Sequence, residues 1–282
     1  VRRAAGIVLD AYWRFGEDEG WVIASHIALS ALMALFPFMI FVTALAAFFG
    51  SKELADEVAR LLLDAWPNAV AEPIAREIGN VLTNVRTDIL ALSVLAAVYF
   101  ASSGIEGLRV GLSRAYGVRE ERGWWLLRLE SIGYVIVAAI ALLAFSFLIV
   151  LWPLLWATAA RFAPALAQVA DWSTIVRYGI AAGVIVVALL IVHLWLPAGR
   201  RSLLEIAPGV VVTLALWLIS GAAFGRYLAE FASTSYVTIY AGLSSGMVAL
   251  VFLYLVASIF VFGGELNAAI ARAQARKEAA KQ

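Results

Sequence analysis

Long apolar runs, separated by short polar ones, dominate the chain. Six of them lack Asp, Glu, Lys and Arg altogether: 22 to 50, 89 to 104, 131 to 152, 178 to 196, 206 to 225 and 243 to 264. A bilayer core of about 30 Å takes roughly 20 helical residues at about 1.5 Å each, so the pattern predicts an all-α chain with six transmembrane helices. The second run is the shortest, and Ser102, Ser103 and Gly104 close it. Its helix is therefore expected to continue through Ile105, Leu108 and Leu112. The first run is the longest and contains Pro37, which removes a backbone hydrogen bond and is expected to kink or tilt the helix.

The polar segments carry their own patterns. From Ser51, a helix cap, the residues Leu54, Val58, Leu61, Leu62 and Ala65 share one helical face, and Pro67 ends the segment. Val70, Ile74, Ile78, Val81 and Val85 then align at helical spacing. Residues 51–87 thus read as an amphipathic helical hairpin between the first two spans, either a structural lid over apolar surface or a gate. Residues 4 to 15 are mildly amphipathic and are expected to lie along the membrane surface. The acidic Glu17-Asp18-Glu19 and the long run that follows argue against a cleavable signal, so the first span is expected to be retained.

Composition agrees with lipid as the solvent. The chain of 282 residues is 63% hydrophobic and 15% charged, with a mean hydropathy of +0.91, whereas soluble domains are about 25% charged. A formal charge of +1 gives no basic excess for nucleic acid. The absence of cysteine excludes disulfides and thiolate-bound metals. Lys and Arg number 14 on the side of the termini and 7 on the other, which places both termini in the cytoplasm and the hairpin outside. Trp21, Trp124, Trp125, Trp152, Trp156, Trp172 and Trp195 lie near span ends, as interfacial belts require, and Trp217 sits mid-span.

Candidate chemistry collects at one depth. His26, Glu106, Arg109, Glu130, His193, Glu205, Glu265 and Asn267 all fall at or near the inner ends of the spans. Ionisable groups in a bilayer are functional candidates by default. One reading is an inward-facing polar vestibule, with His26 and Ser30 one turn apart on the first span and Glu265 on the last. The other is that polar groups near an interface simply reach water. On the opposite side, residues 226 to 242 are rich in hydroxyls, Tyr236 and Tyr240 among them, and serve either as a pathway lining or as interface anchors. Four GxxxG pairs, Gly107/Gly111, Gly179/Gly183, Gly221/Gly225 and Gly242/Gly246, mark helix-packing seams within the bundle or between copies, so a homo-oligomer is compatible with the sequence. No phosphate-binding loop, HExxH, GxSxG or GxGxxG motif occurs. The two His lie far apart without carboxylates at metal-ligand spacing, so neither a cofactor, a metal nor an enzymatic role is expected.

Particular residues add a family resemblance. Residues 25 to 38, ending in Leu35-Phe36-Pro37-Phe38, resemble the opening helix of the bacterial YihY/BrkB inner-membrane family. So do Arg114-Ala115-Tyr116-Gly117-Val118 with Arg122-Gly123-Trp124, Leu196-Pro197, Pro208-Gly209, the segment around Tyr240, and Gly263-Gly264-Glu265-Leu266-Asn267, in that order. Tyr240-Ala241-Gly242 departs from the family's Tyr-Gly. The resemblance implies a six-helix protein of the bacterial inner membrane, whose relatives have been labelled virulence factors, exporters and a tRNA-processing ribonuclease BN. A nuclease needs clustered metal-binding acids and a basic groove, and the sequence supplies neither.

The expected organisation is a surface segment at 1–21, one six-helix domain at 22–270 with a basic cytoplasmic loop at 105–128, and a charged tail at 271–282. The expected function is a passive or secondary transporter, or a lipid translocator, for amphipathic cargo, with membrane lipids as neighbours. The alternative is a non-transporting envelope scaffold. Six spans permit an inverted three-plus-three repeat, although the two halves show no convincing internal match.

Overall fold

A computed structural model describes residues 2–49, 87–146, 170–231 and 241–281. The hairpin expected at 51–87 lies outside these residues except for Thr87, as do Tyr236 and Tyr240. The described residues form seven α-helices: α1 (Arg2–Glu17), α2 (Gly20–Phe49), α3 (Thr87–Ala115), α4 (Trp124–Ser146), α5 (Ala170–Trp195), α6 (Leu203–Phe231) and α7 (Ala241–Ala279). Each of α2 to α7 overlaps one of the six apolar runs. Five helices hold a segment long and apolar enough to cross a membrane: Gly20–Phe38, Ala91–Ala115, Trp124–Leu142, Leu203–Leu228 and Gly246–Ala279. A shorter apolar stretch, Gly179–Trp195, lies in α5.

The helices run beyond the apolar runs because their polar ends find partners. α3 passes through Ile105, Leu108 and Leu112 and stops only at Ala115, so the expected loop at 105–128 contracts to residues 116–123. Glu106, Arg109 and Arg114 are helical residues whose charges are paired rather than loop residues. α2 is continuous through Pro37. At the other end of the chain, α7 continues through the expected tail as far as Ala279.

α7 is the pillar of the bundle. Its segment 257 to 269 is buried almost all round, and Ala257, Phe260 and Val261 pack with Ile23, Ala24 and Ile27 of α2, Leu112 of α3, Leu189 of α5 and Val210 of α6. Such burial on every side places this stretch of α7 inside the bundle, with Ser258, Glu265 and Asn267 as its buried polar residues. Gly263 and Gly264 open opposite approaches. A side chain at Gly263 would run into Thr213 of α6, and one at Gly264 would meet Leu112. The Gly107/Gly111 pair is likewise an internal seam: a Cβ at Gly107 would stand 2.8 Å from Ile27, and one at Gly111 would stand 3.1 Å from Ile23 and 3.2 Å from Val261. Gly179, Gly183, Gly221 and Gly225 face open space.

Outward surfaces are apolar. Leu95 is 67% exposed, Ile140 61% and Leu218 76%, a surface that hydrocarbon solvates and water does not. Trp217, the mid-span indole, donates from Nε1 to the Val256 carbonyl at 3.0 Å and ties α6 to α7. The surface helix α1 lays Ile7, Ala11 and Phe15 against α7 and turns Leu9, Tyr12 and Trp13 outward. Asp10 pairs with Arg272 at 3.1 Å.

Candidate functional site: a buried polar end of the bundle

Tyr116 immediately follows α3 and is the hub of this end. Its hydroxyl accepts from Asn267 Nδ2 at 3.3 Å, and the Arg201 guanidinium lies over its ring, 3.9 Å from the centroid. Burial pushes the Tyr116 hydroxyl above its ordinary range, so it remains protonated near neutrality. The carboxyls of Glu265 and Glu205 face it as well. Arg201 donates from Nη2 to the Ala198 carbonyl at 2.8 Å, while its buried Nη1 has no partner among the described residues. Burial draws Arg201 below its ordinary range, yet a guanidinium stays charged.

Asn267 shows why this polar cluster exists. Pro208 brings no N–H to the second turn of α6, and the N–H of the following residue, Gly209, donates to Asn267 Oδ1 at 2.6 Å. One buried amide therefore serves two helices with its two ends. The absence of a side chain at Gly209 is what allows it, since a Cβ there would run into both the Gly263 carbonyl and the Asn267 side chain. Glu205, at the first turn of the same helix, accepts from the Ser202 N–H at 3.0 Å, a capping contact.

Four more buried atoms lack partners among the described residues: Ser113 Oγ, His193 Nε2, Thr213 Oγ1 and Glu265 Oε2. His193 is fully buried, and its Nδ1–H donates to the Leu189 carbonyl at 2.9 Å. That bond fixes the neutral tautomer and leaves Nε2 as an acceptor, with the ring 4.8 Å from that of Phe260. Glu265 is 1% exposed; Asp18 of the α1–α2 turn, Arg14 and Arg272 are the charges that face it. Buried polar groups without protein partners are places for water or a polar ligand.

The remaining expected site residues divide. Glu106 and Arg109 pair at 3.2 Å, Arg109 donates to the Leu127 carbonyl at 3.3 Å, and Arg128 reaches Glu106 at 3.1 Å while lying over Tyr99. These three form a clasp between α3 and α4. Glu130 is held by Arg122 at 2.7 Å. His26 is exposed beside Gly107, Ser30 is buried opposite Gly104, and Pro37 is half-buried. Tyr116 and Arg201 were not among the expected site residues. Tyr116 stands inside the family-like loop motif and Arg201 follows the Leu-Pro pair, but no local spacing signals that they stack.

A second centre lies at the same end. Arg122 binds Glu120 at 2.7 Å, Glu130 at 2.7 Å and the Leu196 carbonyl at 3.2 Å, joining the 116–123 loop to the α5–α6 turn. The hydrogen bond from Arg122 holds the Glu120 carboxyl below the usual carboxylate range. Among the described residues no group of three or more His, Asp or Glu is arranged to hold a metal.

These features define a multi-pass membrane protein, helical throughout the elements described, with a polar cluster buried in its bundle. The chain belongs to the family described as virulence factor BrkB, whose model matches residues 11–282. It is similar to YfkH of Bacillus subtilis (strain 168), a protein named as ribonuclease-like, with 26% identity over 264 residues that cover 92% of this chain and 93% of YfkH. It is also similar to a UPF0761 membrane protein of Rhodospirillum centenum (strain ATCC 51521 / SW), 25% identical over 97% of this chain and 59% of that longer protein. No solved structure matches.

Proposed function

We propose that the chain crosses the bacterial inner membrane six times, with both termini in the cytoplasm and the 51–87 hairpin outside. We further propose that it moves an amphipathic solute or a lipid through a path that opens at the buried polar end. One observation carries this reading: buried polar atoms of Ser113, His193, Arg201, Thr213 and Glu265 have no partner among the described residues of an otherwise apolar bundle. A purely structural end would satisfy them, because each orphaned buried group costs about 1–3 kcal/mol. A path that solvates polar cargo requires them unpaired. The shallow depth of the charges and the apolar outer surfaces favour cargo with a polar head and an apolar body over a small ion.

The test is flux in reconstituted vesicles, read with a fluorescent phospholipid and an amphipathic cation. Glu265→Gln and His193→Gln are expected to lower flux about tenfold, equivalent to about 1.4 kcal/mol, with the thermal midpoint unchanged. Equal loss of stability and flux would assign the polar end a structural role. Absence of flux in the unaltered protein, together with a stable co-purifying partner, would make the chain an envelope scaffold.

A further inference from the structure

A cleft of about 410 Å³ opens between the 116–123 loop and the α5–α6 turn, outside the buried cluster, and is lined by Arg119, Glu120, Glu121, Arg122, Leu194 and Trp195, with residues 197–199 completing the wall. Its size falls in the roughly 300–1,000 Å³ range of small-molecule sites. Its charges are of two kinds. Glu120 and Arg122 are consumed by each other and by Glu130, so they build the wall and leave little field. Arg119 and Glu121 are exposed, and neither has an ion-pair partner among the described residues. One free cation and one free anion therefore border the same cleft.

The depth of the cleft identifies what meets it. Trp195 ends α5 and is 66% exposed; Trp124 and Trp125 begin α4 and are exposed too. Exposed indoles at helix ends mark the headgroup level of a bilayer, and the Arg122 bond to Leu196 holds these two helix ends together. The turn behind the cleft is fixed by Gly199 at φ +89°, a conformation that other residues adopt at a cost. A ligand arriving from the membrane at this level presents a phosphate and, where zwitterionic, an ammonium a few bonds away.

We propose that this cleft is a headgroup site for a zwitterionic phospholipid, with Arg119 taking the phosphate, Glu121 the ammonium, and Leu194 and Trp195 the glycerol and upper chain. A purely anionic headgroup meets Glu121 unfavourably, and a purely cationic one meets Arg119 unfavourably. Only a headgroup carrying both charges matches both side chains. The inference does not require transport: the lipid binds whether or not the bundle moves cargo.

Native mass spectrometry of the full chain in detergent, with phosphatidylethanolamine, phosphatidylglycerol or inorganic phosphate added, tests it. Phosphatidylethanolamine is expected to be retained about tenfold more than phosphatidylglycerol, with phosphate failing to displace it. Arg119→Gln and Glu121→Gln are each expected to weaken retention about tenfold, the equivalent of one charged contact. Glu121→Gln is also expected to shift preference toward phosphatidylglycerol, and the swapped pair Arg119→Glu with Glu121→Arg to recover part of the ethanolamine preference. Both positions are exposed loop residues, and an unchanged thermal midpoint verifies folding. Equal retention of the two lipids, displacement by free phosphate, or indifference to both single variants would overturn the assignment. Flux measured in the same variants is a separate readout, so a failed headgroup site and a failed transport reading are distinguishable.

Discussion

Gly209 and Asn267 are separated by 58 residues, yet each explains the other. The Gly209 N–H lies in the α6–α7 seam beyond the reach of water, and such a donor must find an acceptor. Asn267 supplies it and uses its other end on Tyr116. Asn267→Leu is expected to remove both of these hydrogen bonds and to lower stability by about 0.5–1.5 kcal/mol for each. Gly209→Ala adds a methyl where the Gly263 carbonyl already stands. Backbone cannot yield as a side-chain tip does, so this change is expected to cost at least as much, by the general penalty of about 1–3 kcal/mol for overpacking. Thermal unfolding of both variants in the same detergent checks the pair. Gly6→Ala, at a position with nothing within 4 Å, serves as the tolerated control. Both residues stood in family-like motifs in the sequence, Pro208-Gly209 and Gly263 to Asn267. Their partnership did not, because contact across a helix seam leaves no periodic trace in either segment.

Helix cores were legible because lipid imposes a length and a composition on each span, whereas helix ends were not. The apolar run at 89 to 104, continued through Leu112, predicts α3, but nothing local to it signals that Arg109 finds its acceptor at Leu127 in the next helix. Similarly, α1 was legible as an amphipathic segment, but its seat on α7 is made by Ala11 against Leu266 and Ala269 and flanked by the Asp10–Arg272 pair, whose members stand 262 residues apart. The connection between elements that is most open to test is the Arg122 clasp. Glu120 titrates below its ordinary value of 4.5 when folded because Arg122 donates to it. A carboxyl with a depressed folded pKa contributes stability above its unfolded value, and that contribution is lost as pH falls through the folded one. Acidification below about 4.5 is therefore expected to loosen the 116–123 loop from the α5–α6 turn. Hydrogen exchange of the loop amides, corrected for the intrinsic pH dependence of exchange, should show protection near neutrality and its loss in acid. Glu120→Gln should reduce protection at neutral pH and flatten the pH dependence; a profile identical to that of the unaltered protein would show that the clasp does not depend on this carboxyl.

At the scale of the whole molecule, the fold links one end of the bundle tightly: α1 to α7 through Asp10 and Arg272, the α1–α2 turn to α3 through Glu19 and Arg114, the residue after α3 to α7 through Tyr116 and Asn267, and α4 to the α5–α6 turn through Glu130, Arg122 and Leu196. Arg119, Arg200 and the basic residues of the α7 extension lie at this end, which faces the cytoplasm in the proposed topology. The chain contains no cysteine, which makes single introduced thiols unambiguous reporters. Gly123→Cys and Ala280→Cys, both exposed at this end, are expected to react with a membrane-impermeant maleimide in inside-out vesicles and to stay unlabelled in intact spheroplasts. Arg226→Cys, exposed near the far end of α6, is expected to behave oppositely. Labelling of all three from one side would remove the membrane crossing by α6 from the proposed topology. Reversal of the whole pattern would keep the spans but place the polar end and its lipid cleft on the outer face, where a path would load from the opposite leaflet.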